Sequence, residues 1–189
     1  FVGNLGSIAH WNGSSWTKIE SGTSLNIYDI RAITTDDDEK KIFCLAANQN
    51  PPFEKELIEV KGIQSRVITV EGIYYSVKSL WMDREERVYL GGSGRYKGII
   101  KGNKSYFNEI LPEFTNYATS SITGESNNDI FIAGHFGGLA HYNGLNWKTY
   151  EGKETPYFHG KWLKVAVKGK TVVAVGNEGS IYLALLFLL

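Results

Sequence analysis

The chain has 189 residues, of which 42% are apolar and 21% are charged, so it is long and apolar enough to bury a substantial core. Twenty basic residues balance twenty acidic ones, which argues against the broad positive field that nucleic-acid binding requires. Aromatic residues make up 13% of the chain and glycines number 21, a bias that favours sheets and tight turns. The composition therefore predicts a folded all-β protein that does not bind nucleic acid.

An internal repeat runs from the first residues of the chain to the last. Each unit has an apolar strand that ends in a small residue and is followed by a polar turn. These small residues are Gly3, Ala47, Gly92, Gly134 and Gly176. Their spacings are 44, 45, 42 and 42 residues, which suits a blade of four short strands and turns. We therefore predict a β-propeller, or a fragment of one, built from four-stranded antiparallel blades of about 44 residues.

The strands of each unit are predicted in the same order. Inner strands are expected over 27–33, 74–81, 117–123 and 161–167, each just before the strand that ends in the small residue. Third strands follow at GSIAHW, KELIEVK, KGIIKG, GGLAHYN and GSIYLAL. No segment has a sustained apolar period of 3.6 residues, so the sequence predicts no long helix.

The first and fourth units also match residue by residue. GNLGSIAHWNGSSWTKIESG aligns with GHFGGLAHYNGLNWKTYEGK. The aligned pairs are Gly3 with Gly134, His10 with His141, Gly13 with Gly144, and Trp16 with Trp147. These segments resemble the G-x-x-G-x-I-x-H-Y-x-G-x-x-W repeats of bacterial propeller proteins, which are distantly similar to sialidase-type Asp-box repeats. The resemblance implies a propeller fold and a secreted, periplasmic or cell-surface location.

Most of the repeated residues are interpreted as architectural. Gly13 and Gly144 each follow an asparagine, and Asn-Gly is a strong turn signal. His10 and His141 are expected to hydrogen-bond within their blades rather than bind a ligand. The two tryptophans are expected to wedge between neighbouring blades, with sugar stacking as the alternative.

Candidate binding residues fall in the turns between the second and third strands, which a propeller places on one face near its central channel. Directly after the small residue of each unit stand Asn4, Asn48, Ser93, His135 and Asn177, with Arg95, Tyr96, Phe136 and Glu178 nearby. Asn and Ser are common in tight turns, so a purely structural role is the alternative for them. Turn chemistry does not call for Arg95, Tyr96 or His135, which makes these three the first choice for ligand contacts.

The sequence offers little support for catalysis or metal binding. A sialidase-like hydrolase needs three converging arginines, and the repeat gives no placement that would bring together Arg31, Arg66, Arg84, Arg87 and Arg95. The acidic run at 36–39 lacks the spacing of a calcium loop. The lone Cys44 is interpreted as a buried structural thiol. We therefore predict no metal and no cofactor.

Two functions stay open at this level. The first is a non-catalytic propeller that binds a protein, peptide or glycan on its loop face, and the alternative is a fragment of a sialidase-like, glycan-active hydrolase. Dividing 189 by 44 gives about 4.3 units, so residues 1–189 are expected to form one propeller domain that is incomplete at both ends. The apolar run IYLALLFLL has nine residues against the roughly 20 of a bilayer span, so no membrane span is predicted.

Overall fold

The computed structural model describes residues 1–35, 38–110, 117–150 and 160–185. Asp36 and Asp37 of the acidic run lie outside these ranges. The described residues form four sheets. The first pairs β1 (Ile8–Trp11) with β2 (Trp16–Ile19), and Val2 adds an isolated bridge to Ile8. Helix is confined, within these ranges, to a 3-10 turn at His135–Gly137, and no helix there is long and apolar enough to cross a membrane.

The largest sheet contains two four-stranded antiparallel meanders. The first consists of β3 (Asn26–Thr34), β4 (Lys40–Ala47), β5 (Lys55–Lys61) and β6 (Gln64–Glu71). The second consists of β7 (Val77–Met82), β8 (Arg87–Gly92), β9 (Arg95–Lys101) and β10 (Lys104–Glu109). Their outer strands β6 and β10 pair in parallel, which joins the two meanders edge to edge.

Two further sheets complete the described part of the chain. One is a meander of β11 (Thr119–Ser126), β12 (Asp129–Gly134), β13 (Leu139–Tyr142) and β14 (Trp147–Thr149). The other contains β15 (Trp162–Lys168), β16 (Thr171–Gly176) and β17 (Ile181–Leu185). The predicted order of strands is confirmed, because the second strands end at Ala47, Gly92, Gly134 and Gly176.

The hydrophobic cores lie between successive meanders. In β4, Phe43 and Leu45 face the core shared with β7 and β8, whereas Cys44 and Ala46 face the core shared with β1 and β2. Both faces of this strand are therefore buried, which explains its continuous apolar run. Similar cores join β7–β8 to β11–β12 and β12–β13 to β15–β16.

Each inner strand has an irregularity at the same place. The register shifts fall between Ile27 and Asp29, Val77 and Ser79, Thr119 and Ser121, and Trp162 and Lys164. Such β-bulges re-aim the side chain of the extra residue. All four bulges contribute residues to the wall of one cavity. The inner strands β3, β7, β11 and β15 therefore surround a common channel.

The predictions for the repeated histidines and for the repeated tryptophans have different outcomes. His141 Nε2 lies 2.8 Å from Asp129 Oδ1 and its ring stacks on Phe131, which confirms a contact within the blade. Trp16, however, is 58% exposed and does not wedge between meanders. Its neighbours are Trp11 and Phe1, because β1 and β2 have packing partners on one side only among the described residues.

Candidate functional site

Three of the predicted loops form the same tight turn. Their closing hydrogen bonds run from Ser7 N to Asn4 O (3.1 Å), from Gly138 N to His135 O (3.0 Å) and from Ser180 N to Asn177 O (3.2 Å). The two central residues of each turn have positive φ, as a type I′ turn requires. They are Leu5 (53°) and Gly6 (66°), Phe136 (54°) and Gly137 (72°), and Glu178 (57°) and Gly179 (69°). Leu5, Phe136 and Glu178 thus occupy equivalent positions.

The polar residues of the loops largely serve the loops themselves. Asn48 Oδ1 accepts a hydrogen bond from Asn50 N (3.1 Å), and Asn177 Oδ1 accepts one from Lys161 N (2.8 Å). The hydroxyl groups of Ser93 and Ser76 are 3.0 Å apart. These contacts match the structural alternative for Asn and Ser in turns.

Arg95 and Tyr96 are buried below the loop surface. The Tyr96 hydroxyl accepts hydrogen bonds from the backbone N–H groups of Tyr74 (3.3 Å) and Tyr75 (3.1 Å). The Arg95 guanidinium donates through Nη1 to the carbonyl of Tyr117 at 2.9 Å. Neither side chain is placed to meet a ligand at the surface. Both instead fix the backbone of tyrosines that are exposed.

The exposed tyrosines and Phe136 form a feature that we call the aromatic rim. Its members are Tyr74 (74% exposed), Tyr75 (50%), Tyr117 (50%) and Phe136 (63%). The rings of Tyr117 and Phe136 are 4.5 Å apart between centroids. Sequence reasoning assigned the three tyrosines to inner strands, because aromatic residues favour sheets. The strands begin instead at Val77 and Thr119, which leaves all three tyrosines in loops.

His135 follows the rim residue Tyr117 around a small cavity of about 10 Å³, which Arg95 also lines. This volume is the size of a single water molecule. Burial lowers the pKa of His135, and the nearby ammonium groups of Lys161 and Lys78 lower it further. Two of the sequence candidates, His135 and Arg95, are therefore brought together, whereas Asn4 and Asn48 belong to other turns.

A second and larger cavity of about 250 Å³ opens along the channel between the inner strands. Its walls consist of Tyr28, Asp29, Lys78, Ser120, Lys161, Leu163 and Lys164. The Lys164 ammonium lies 3.6 Å from Asp29 Oδ1. Burial lowers the pKa of Lys78, and contact with Lys161 lowers it further. Sequence reasoning did not identify these lysines, since a bulge that turns Lys78 into the channel has no clear sequence signal.

Four of the five arginines have different partners in the structure. Arg66 bonds to Glu59 and Asn103, Arg87 to Asp83, and Arg95 to Tyr117. Arg31 lies over the ring of Trp81. Among the described residues, no group of three His, Cys, Asp or Glu side chains could hold a metal ion. The geometry thus gives no arginine cluster of the kind that a sialidase-like site requires.

This combination of stacked meanders around a channel defines a partial β-propeller, and comparison with solved structures supports that class. The chain resembles YCF48 bound to D1 peptide with a TM-score of 0.69 and 10% identity, over 97% of this chain and 59% of that one. The match to YCF48 from Cyanidioschyzon merolae has a TM-score of 0.68 and 11% identity, over 97% of this chain and 64% of that one. At these identities the likeness concerns the fold.

A third solved structure is also similar. A catalytically inactive variant of virginiamycin B lyase from Staphylococcus aureus, with quinupristin, gives a TM-score of 0.60 and 12% identity. That match covers 96% of this chain and 62% of the other. The chain thus spans about three fifths of the length of these structures. No family model and no curated protein matches its sequence.

Proposed function

We propose that this propeller is a non-catalytic binding module that recognises a protein or peptide segment through the aromatic rim. One observation carries the proposal. Buried Arg95 and Tyr96, adjacent in sequence, hydrogen-bond to the backbones of the exposed Tyr117, Tyr74 and Tyr75. A buried layer that fixes the backbone beneath exposed aromatic residues is an arrangement expected of a preorganised binding surface.

The chemistry of the rim suits a protein ligand. Exposed aromatic rings are enriched at interfaces, because each ring offers a large apolar area and the tyrosine hydroxyl can still bind water or a polar partner. Tyrosine has few rotatable bonds, so little conformational entropy is lost when it is immobilised. Tyr117 and Phe136, whose rings are in contact, form a cluster of exposed apolar surface, and such clusters mark interaction sites in soluble proteins.

Phe136 adds a second argument. Its φ of 54° lies in the left-handed region, which a bulky side chain adopts only at an energetic disadvantage. Glycine or asparagine would fit that turn position better. Backbone strain of this sort tends to occur at functional sites. An exposed phenylalanine in a strained turn is therefore better explained by binding than by stability.

The structural comparison is consistent with this proposal. YCF48, which shares the fold, has been solved with a bound D1 peptide. A propeller of this shape can thus present a peptide site. For the present chain the choice of a peptide or protein ligand rests on its own aromatic rim.

The proposal is tested by selection from a random dodecapeptide display library on the immobilised protein. Enriched peptides are then measured against the double variant Tyr117→Ser/Phe136→Asn and against Leu5→Asn, which alters the equivalent position of a different turn. We expect at least tenfold weaker binding to the double variant and unchanged binding to Leu5→Asn.

Equal binding of the enriched peptides to the wild type and the double variant would contradict a role for the rim. Failure to enrich any peptide would contradict the choice of a peptide ligand. Thermal melts of all three proteins serve as the folding control.

A further inference from the structure

The channel cavity concentrates positive charge in a chain whose net charge is zero. Three ammonium groups, those of Lys78, Lys161 and Lys164, line the cavity together with the carboxylate of Asp29. Lys78 and Lys161 are close enough for a direct contact between their side chains. Two like charges in contact repel each other unless an anion lies between them.

Asp29 is already engaged elsewhere and does not neutralise this pair. Its Oδ2 accepts hydrogen bonds from Ser79 Oγ (3.0 Å) and Leu80 N (2.9 Å). Its Oδ1 accepts one from Ile30 N (3.0 Å) and faces Lys164 at 3.6 Å. The carboxylate thus serves the inner strands and Lys164.

We propose that this cavity is an anion site, which takes a carboxylate or phosphate group between Lys78 and Lys161. Charge-assisted hydrogen bonds from ammonium groups to oxyanions are the strong contacts available here. The cavity of about 250 Å³ is large enough for a small polycarboxylate or for an acidic side chain of a larger ligand. The proposal does not depend on the aromatic rim.

The first test uses citrate and inorganic phosphate as probes at constant ionic strength, with isothermal calorimetry and thermal melts. Lys161→Met should weaken citrate binding at least tenfold. The same substitution should raise the melting temperature of the protein without ligand, because it removes the repulsion from Lys78. Lys170→Met, which removes an exposed lysine in a turn outside the cavity, should change neither property.

An anion site and a purely structural role predict different results for Lys161→Met. In an anion site, the substitution raises the melting temperature and weakens citrate binding. A lysine that only stabilises the fold would lower the melting temperature when replaced and leave citrate binding intact. That result, or failure of both probes to bind the wild-type protein, would overturn the proposal. The rim variant Tyr117→Ser/Phe136→Asn should bind citrate normally, so a failure of the rim proposal is recognised separately.

A second readout is the pKa of His135, measured by NMR with His135→Gln to assign the signal. The charged groups around this imidazole are Lys161, Lys78 and Arg95. An anion between the lysines offsets their positive charge and favours the imidazolium form, so citrate should raise the pKa of His135. An unchanged pKa at saturating citrate would place the anion elsewhere.

A third experiment distinguishes an acidic protein segment from a free small anion as the ligand of this site. The blocked peptide acetyl-Asp-Asp-Glu-Glu-amide is compared with citrate and phosphate under the same conditions. Tighter binding of the peptide indicates an acidic segment of a protein, whereas tighter binding of citrate or phosphate indicates a free small anion. In either case Lys161→Met should weaken binding.

Discussion

Trp16 and Trp147 occupy the same position of the repeat but have different surroundings. Trp147 is half-buried, its ring lies tilted against that of Tyr142 with 5.1 Å between centroids, and it packs on the core that contains Trp81 and Ile130. Trp16 contacts Phe1 at 4.7 Å and Trp11 at 5.2 Å on an exposed surface. The difference comes from the neighbouring meander, which covers the tryptophan in one case only.

The substitution Trp147→Ala should therefore destabilise the protein more than Trp16→Ala does. A fully buried tryptophan loses roughly 3–5 kcal/mol on truncation, and a half-buried one should lose about 2 kcal/mol. Trp16→Ala should change stability by less than about 1 kcal/mol, since it removes only surface aromatic contacts. Urea unfolding of the two variants measures both values. Equal losses would contradict the assigned environments.

The candidate site shows how far sequence reasoning reached at the level of single residues. It identified Arg95, Tyr96 and His135 as unusual for turns, and these residues do lie at one part of the loop face. It could not tell a ligand contact from a supporting contact, because that distinction depends on which side chain is covered by which strand. Because Arg95 and Tyr96 are buried, our proposal places ligand contacts on the exposed Tyr117 and Phe136 instead.

Cys44 lies in the interior of the protein, as its sequence context predicted. Its thiol is fully buried, and burial raises its pKa to about 11. The structure thus confirms the sequence interpretation of a buried thiol. A position within an apolar run flanked by strand residues was sufficient for this inference, because both faces of the strand are covered.

At the level of elements, side chains next to the bulges link successive inner strands. Asp29 Oδ2 accepts a hydrogen bond from Leu80 N at 2.9 Å. Ser79 Oγ accepts one from Ile122 N at 3.0 Å. Ser121 Oγ accepts one from Val165 N at 3.2 Å. The bulges therefore place an acceptor where the backbone of the next strand presents an unused donor.

The substitution Ser79→Ala should reveal the strength of this linkage. It leaves the buried N–H of Ile122 without its acceptor and removes a donor from Asp29, so we expect a loss of about 1–3 kcal/mol. Ser76→Ala, at a half-buried serine whose exposed hydrogen bond goes to Ser93, is the matched control and should change stability by less than about 0.5 kcal/mol. Guanidinium unfolding distinguishes the two. A Ser79 variant as stable as the control would show that the linkage adds nothing.

The sequence predicted the strands better than the contacts between them. Apolar runs and turn residues located β4, β8, β12 and β16, because alternation and chain reversal are local properties. The bulges at Tyr28, Lys78 and Leu163 were not predicted, since a bulge depends on the neighbouring strand. The channel cavity was missed for the same reason.

For the whole molecule, the meanders stack through separate cores that each join one pair of neighbours. The second strands contribute to the cores on both of their sides, as Leu45 and Cys44 do in β4. In such repeat architectures stability is approximately the sum of the units and their nearest-neighbour interfaces. A strand whose two faces are both covered by neighbouring meanders should therefore be locally more stable than a strand with one covered face.

Native-state hydrogen exchange should show this gradient directly. Strands β4 and β8 each pair with a strand on both edges, and Leu45, Ala46, Val88 and Leu90 are fully buried. Strand β1 pairs with β2, and its side chains are mostly exposed. Backbone amides open more easily where fewer apolar contacts must be broken.

We expect the slowest amides of β4 and β8 to exchange at least about 100-fold more slowly than those of β1, after correction for intrinsic rates, which corresponds to roughly 2.8 kcal/mol in opening free energy. Trp147→Ala should accelerate exchange in β11 and β12, next to the core it weakens, before it affects β4. Uniform protection across β1, β4 and β8, or uniform acceleration in the variant, would mean that the meanders open as one cooperative unit.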